Sequence, residues 1–308
     1  MFSQKFMLSQ KFYTHGRLSR PIILHSRYLS NIPQSSSKEV GIKELIQRDI
    51  KHAEQVGVIA PAPLDANTFR KIVHTTWELT KFYFYGALAI YKRRQNISAI
   101  KTRIRNGGLH LTRAEGRLIE LQRKDVNKVI PFVILAILME ELIPVIAIYA
   151  PFMLPSTCIL PSQQARIEEK KAVKALDASV SYRALFAELN GKAQDGKLPL
   201  SALRGNGSAA AMCGVLRLPT FGNDLLRTWR IQQHLKFIKK DDDLLIRDDL
   251  LNTLSNEELL QALEERGFIT MGIKTTEARN RLKWWLDSVR DHSDDVLARR
   301  LSLLAERR

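Results

Sequence analysis

The sequence predicts helices throughout, arranged on both sides of one membrane segment. Three observations carry this: an apolar stretch of twenty-six residues from Val129 to Leu154, capping-box helix starts at Thr112 and Ser255, and a set of C-terminal residues that recurs about fifty positions later. With 308 residues, the chain has room for a targeting peptide, a membrane segment and one sizeable folded domain. Forty-eight Lys and Arg against thirty-two Asp and Glu leave a formal charge of +16, which favours a polyanionic partner such as RNA, DNA or anionic lipid. Cys158 and Cys213 stand alone, and the seven histidines lack ligand spacing, so no disulfide framework, metal or cofactor is expected. No glycine-rich phosphate loop, nucleophile elbow or metal-ligand cluster suggests an enzyme.

Residues 1–29 contain no acidic residue, while Lys5, Lys11, Arg17, Arg20 and Arg27 are spread among Phe2, Phe6, Leu8, Phe12, Leu18 and serines. Such a stretch reads as a mitochondrial presequence, and its longest apolar run, Ile22 to Leu24, is too short for a secretory signal. Arg27-Tyr28-Leu29-Ser30 resembles the motif cut by the matrix processing peptidase, with cleavage between Leu29 and Ser30. The alternative is a disordered basic tail. Removing the stretch leaves +11. Residues 30–66 are expected to be a linker.

Residues 67–128 are expected to form amphipathic helices before the membrane. The core of WELTKFYFYGALAIYKRRQ, Phe82 to Tyr91, is too short to span, so it is placed at the membrane surface, with Trp77 and the tyrosines at headgroup level and Lys92, Arg93 and Arg94 on phosphates. Thr112 and Glu115 start a second helix that leads into the membrane.

Residues 129–154 read as the transmembrane segment, their only charges being Glu140 and Glu141. Pro131 fits a first helical turn, Pro144 should kink the helix, and Pro151 and Pro155 mark its end. A carboxylate near the bilayer centre costs a few kcal/mol, so Glu140 and Glu141 need a partner, a proton or a water-filled path. One reading is a proton or cation relay, with two adjacent acids raising each other's pKa. The other readings are two shorter apolar arms with the acids at an interface, and a soluble protein with a buried helical hairpin. Five basic residues precede the segment (Arg113, Arg117, Arg123, Lys124, Lys128) and four follow it (Arg166, Lys170, Lys171, Lys174), so charge counting leaves the orientation open.

After the membrane, residues 162 to 190 have helical charge patterning and end near Asn190-Gly191, and Asp195-Gly196 to Pro199 reads as a loop. Leu203, Met212, Arg230, Ile231 and Leu235 recur fifty-one residues later as Leu254, Leu263, Arg281, Leu282 and Leu286, with Gly222 echoed at fifty by Gly272. Two helix, loop, helix units follow from this, and each resembles a SAP-like nucleic-acid-binding motif whose leucines belong to the core. In the second unit a helix starts at Ser255 with Glu258, ends at Arg266-Gly267, and a turn through Gly272 leads to a helix at Thr276. Asp241, Asp242, Asp243, Asp248 and Asp249 do not make an EF-hand, because counting from Asp241 puts Ile246 and Asn252 where Gly and Glu are required. A solvated loop and helix start is expected there, and residues 291–308 are expected to be a tail.

LTRAEGRLIELQRKDVNKVIPF, the acidic interruption MEELIP and the exit APFMLPST resemble the membrane region of the LETM proteins. MCGVLRLPTFGNDLLRTWRIQQHLKFIKKDDDLL and LSNEELLQALEERGFITMGIKTTEARNRLKWWLD are similar to that family's ribosome-binding-like domain, so the resemblance covers roughly residues 70 to 290. It implies an all-α fold with the ribosome-binding-like domain at 155–290. It also implies a single-pass inner-membrane protein with its C-terminal domain in the matrix, potassium/proton exchange, ion and volume homeostasis, and contact with mitochondrial ribosomes. The sequence stops at Arg308 without the coiled coil and EF-hand of the longest members, so a short form is expected.

Two functions follow. In the first, the chain is a component or regulator of potassium/proton exchange, with Glu140 and Glu141 handling the ions and Pro144 supplying a kink. One span cannot enclose a pathway, so a homo-oligomer or other LETM-type subunits would complete it among the inner-membrane lipids. In the second it tethers the mitochondrial ribosome during inner-membrane protein insertion, with Arg227, Arg230, Arg266, Arg279, Arg281 and Lys283 on rRNA phosphates. A nucleoid DNA tether is a third reading.

Overall fold

The computed structural model describes residues 41–63, 65, 67–138, 153–290 and 295–306. These residues form ten α-helices, and the β-type pairing among them is an isolated bridge between Gln194 and Lys197. The presequence and its Leu29–Ser30 junction lie outside the described residues, as do Glu140, Glu141 and Pro144. Among the described residues no helix is long and apolar enough to cross a membrane.

The first unit is a helical hairpin. α2 (Thr68–Arg105) starts where the Asn67 side chain accepts a hydrogen bond from the Arg70 amide, and α3 (Arg113–Leu138) starts at the predicted capping box, with Thr112 and Glu115 bonded to each other's amides at 3.0 and 3.3 Å. The two run antiparallel: Arg103 makes a bidentate pair with Glu115, Gln122 donates to the Ile90 carbonyl, and Arg93 pairs with Asp125 at 2.7 Å. α3 continues through Pro131, so that proline sits inside a helix and not in a first turn. The expected linker contains α1 (Ile42–Gln55), whose Ala53 is buried with Ile59 and Leu160 against Leu79 and Phe82 of α2.

Beyond the apolar stretch, a short 3-10 turn (Ser156–Cys158) docks on α2, with the Thr157 hydroxyl donating to the Gly86 carbonyl at 2.9 Å. The approach requires glycine, because a Cβ at Gly86 would lie 2.7 Å from the Thr157 carbonyl oxygen. Next come α4 (Pro161–Ser181) and α5 (Arg183–Gly191), in place of the single helix expected over 162 to 190. The break at Tyr182 (φ −104, ψ 21) leaves Val180 exposed and lets Phe186 and Leu189 reach the core.

The predicted echo is a structural repeat. A 3-10 turn (Leu200–Leu203), α6 (Ser208–Val215) and α7 (Asp224–Arg247) form the first unit, and a 3-10 turn (Leu250–Asn252), α8 (Asn256–Glu265) and α9 (Thr275–Arg290) the second. Leu203, Met212, Ile231 and Leu235 and their counterparts Leu254, Leu263, Leu282 and Leu286 are all buried in one core. Ser255 and Glu258 form the capping box at α8, and Gly267 takes a left-handed conformation after it. The expected tail instead carries α10 (Val296–Glu306), whose Leu301, Leu303 and Leu304 close this core against α5 and α7.

Candidate functional site: a buried arginine and aspartate junction beside a basic groove

The acidic run expected in a solvated loop lies inside α7. Asp241 and Asp242 are 2% and 0% exposed, while Asp243 projects to solvent and pairs with Lys239. Adjacent helical residues diverge by roughly 100°, so the two buried carboxylates serve different neighbours. Asp241 faces α3, where the capping box fixes Arg113 in the first turn and Arg117 one turn later on the same side. Arg113 Nε donates to Asp241 at 2.8 Å, and Arg117 reaches it at 3.3 Å while making two bonds to Glu265 at 2.7 and 3.0 Å. Asp242 faces the C-terminal helices, accepting from Arg300 Nε of α10 at 2.8 Å and Trp285 Nε1 of α9 at 3.2 Å. Arg266, which ends α8, bonds both aspartates at 3.0 and 2.6 Å and gives a third bond to the Ala262 carbonyl.

The junction sets four guanidinium groups against three carboxylates in a largely water-excluded space. Such a cluster persists only because each charge is paired and hydrogen-bonded. Burial pushes the Asp241 carboxyl up, but Arg266, Arg113 and Arg117 together hold it well below its ordinary value of 3.8. Nearby, burial lowers His234 below 6.5, opposed by its 2.7 Å hydrogen bond with the Glu265 carbonyl. Both groups have depressed folded-state values, so both contribute stability that is complete above the unfolded value and is lost as pH falls. Thermal unfolding of the full chain is expected to weaken first below about pH 6.5, through His234, and again below about pH 4, through Asp241. His234→Gln, which keeps a donor for the Glu265 carbonyl, should remove the upper phase alone. A midpoint constant from pH 7 to 5 would contradict this assignment.

The arginines singled out from sequence do not form one phosphate-facing surface. Arg266 is 1% exposed and belongs to the junction, which corrects its expected role. Arg227 is bonded to the Thr220 carbonyl and Asp224, and Arg230 lies 4.2 Å over the Phe221 ring with its guanidinium on the Pro219 and Phe221 carbonyls. Arg281 pairs with Glu277, Arg279 reaches the Leu251 carbonyl, and Lys283 is exposed.

Charge is instead gathered in a groove between α3 and α7, lined by Arg123, Lys236, Lys239, Lys240 and the Phe237 ring, with Lys124 Nζ 5.0 Å from that ring. Glu120 pairs with Arg123, and Asp243 with Lys239; among the described residues Lys236 and Lys240 have no ion-pair partner. Sequence reasoning missed this groove because its two walls are more than 110 residues apart in the chain. A second surface lies on α2, where Phe69, Val73, Trp77, Phe84 and Tyr91, at spacings of four and seven along one face, are between 51% and 73% exposed. Of the expected headgroup aromatics, Trp77, Tyr85 and Tyr91 are thus solvent-facing, with Lys92 and Arg94 exposed beside them, whereas Tyr83 is half-buried, its hydroxyl pushed up to about 12 by burial, and Arg93 is consumed by Asp125.

Residues 192–298 match the family model described as LETM1-like, RBD, and residues 67–190 match the pentamidine resistance factor domain. A mitochondrial proton/calcium exchanger protein of Drosophila melanogaster is 24% identical over 249 residues, covering 68% of this chain and 24% of that protein. The LETM1 domain-containing protein mdm28, mitochondrial, of Schizosaccharomyces pombe is 24% identical over 221 residues, covering 58% of this chain and 46% of that one. The chain thus spans less than half the length of either relative, and no solved structure matches it. The domain at 192–298 coincides with the repeat that houses Asp241, Asp242 and Arg266, so the chain carries a LETM1-like domain built on that repeat.

Proposed function

We propose that this chain is a component or regulator of proton-coupled potassium exchange and volume homeostasis at the mitochondrial inner membrane, with its LETM1-like domain in the matrix. The mitochondrial relatives support ion exchange in that organelle, the fly protein being named for protons and calcium. The observation that carries the reading is the junction: Arg113 and Arg117, on the helix leading into the apolar stretch, are bonded to Asp241 and Glu265 of the LETM1-like domain. Through these pairs the domain and the helix that leads into the apolar stretch are held together by a buried ion cluster. Glu140 and Glu141 are the proposed ion- and proton-handling groups, and Pro144 the proposed kink, with oligomerisation or LETM-type partners completing the pathway.

The test is potassium-acetate-driven swelling of mitochondria lacking the protein, restored with wild type or with the Glu140→Gln, Glu141→Gln double variant at equal abundance. Wild type is expected to restore swelling and the variant to fail. Calcium efflux measured in parallel distinguishes the cation named for the fly relative. Swelling unaffected by deletion would overturn the reading.

The basic groove favours a second function, a membrane tether for mitochondrial ribosomes. Its exposed Lys236 and Lys240 offer rRNA phosphates what Arg227, Arg230 and Arg266 do not.

A further inference from the structure

We infer that α2 lies in the surface of an anionic phospholipid bilayer, with the face formed by Phe69, Val73, Trp77, Phe84, Leu88 and Tyr91 against the acyl chains and the exposed cations of the same helix on lipid phosphates. The bilayer is that of the membrane reading above, but the geometry rests on α2 alone. With successive residues about 100° apart, these six side chains fall within about 100° of arc, and all are exposed. From Phe69 to Tyr91 the stripe is about 33 Å long. The contacts that hold α2 in place are on its other side. Ala53, Ile59 and Leu160 pack on Leu79 and Phe82, Thr157 meets Gly86, Gln122 bonds the Ile90 carbonyl, and Asp125 takes Arg93. The stripe therefore cannot turn inward without breaking contacts that the fold already has.

Charge selects the occupant. α2 carries nine Lys and Arg and a single acid, Glu78. Glu78 is paired with Lys81, and Arg93 and Arg103 are taken by Asp125 and Glu115. Arg70, Lys71, Lys92, Arg94, Lys101 and Arg105 are exposed and have no ion-pair partner among the described residues. A second copy docked on the same face would bring these cations towards each other, whereas lipid phosphates neutralise them while the acyl chains take up the stripe. An amphipathic helix that is aromatic on one face and basic at its edges sinks its apolar side about 5–10 Å into the boundary between headgroups and acyl chains. Trp77 and Tyr91 suit that depth, each being an apolar ring with a polar tip. The stripe stops at Tyr91, because beyond it the same arc holds Gln95, Ser98 and Thr102. Immersion therefore belongs to the first part of α2, and its polar remainder stays clear of the acyl chains.

The experiment uses the full chain reconstituted in vesicles, with Val73→Cys carrying an environment-sensitive maleimide dye near the middle of the face. The native Cys158 and Cys213 thiols are buried, and burial pushes Cys213 up to about 11, so they stay silent towards a maleimide in the folded protein. The vesicles are phosphatidylcholine alone or an equimolar mixture with phosphatidylglycerol, each with and without a lipid that bears a quencher just below its headgroup. In the anionic vesicles the emission is expected to shift to the blue, to be quenched by that lipid and to become inaccessible to aqueous iodide. Trp77→Glu with Phe84→Glu should abolish all three changes without moving the thermal midpoint, because both native side chains are exposed. Lys92→Gln with Arg94→Gln should weaken them. Equal quenching in phosphatidylcholine alone overturns the assignment to an anionic bilayer. A blue shift that needs no vesicles and does not respond to the quencher lipid overturns it in favour of a second copy on this face. Flotation of the vesicles separates the two possible failures: a chain that does not float refutes the membrane reading, whereas one that floats with its dye open to iodide refutes the immersion of α2 alone.

Discussion

Asp242→Ala is expected to destabilise the folded chain by about 3–5 kcal/mol, the usual cost of removing one partner from a buried ion cluster. The carboxylate is fully buried and is the shared acceptor of Arg300, Arg266 and Trp285, so its loss leaves two guanidinium groups and an indole N–H facing a space that water does not reach. At about 2–4 °C per kcal/mol for a body of this size, the thermal midpoint should fall by roughly 6–20 °C. The neighbouring Asp243→Ala is the internal comparison. It removes only an exposed pair with Lys239, 2.8 Å apart, and should change stability by no more than about 0.5 kcal/mol. Melting of the two variants in the full chain, followed by helical circular dichroism, checks the contrast. Equal effects at 242 and 243 would mean that the junction is not a buried centre.

Why Asp242 was read as a solvated loop residue is instructive in physical terms. Three consecutive aspartates look like surface, yet Ile231, Leu235, Ile238 and Leu245 mark a helical stripe at spacings of four, three and seven, and Asp242 completes it. The spacing was legible and the charge overruled it. What the sequence could not supply were the partners, because Arg266, Trp285 and Arg300 come from three other helices. Features fixed within a few residues fared better. Both capping boxes, the turn after Arg266 and the repeat of buried leucines are settled by local hydrogen bonding and periodicity, and all are present in the structure. α1 and α10 were missed for the opposite reason: both are short, and both take their stability from long-range packing, α1 through Asp49 and Ala53, α10 through Arg300 and its leucines. The candidate phosphate contacts were chosen by charge alone, and charge does not tell a guanidinium that faces solvent from one that holds its own loop.

That distinction decides the second large effect. If ribosomes dock on the groove, Lys236→Glu with Lys240→Glu should reduce co-sedimentation with mitochondrial ribosomes by at least about tenfold at physiological salt, and the dependence of log affinity on log salt should flatten by roughly 1.5 to 2, the share of two phosphate contacts. Lys283→Glu, on α9 and outside the groove, should leave both quantities unchanged. Arg266→Gln should behave differently again: it loosens the fold, so binding falls with the folded fraction while the salt slope of the remaining folded protein is kept. A double charge reversal that leaves the slope untouched would remove the groove from any polyanion contact. The same variant also bears on the exchange reading, because neither lysine touches the junction that ties α3 to the LETM1-like domain. Swelling should therefore survive the reversal that abolishes ribosome association, and loss of both together would mean that the groove and the membrane segment act as one device.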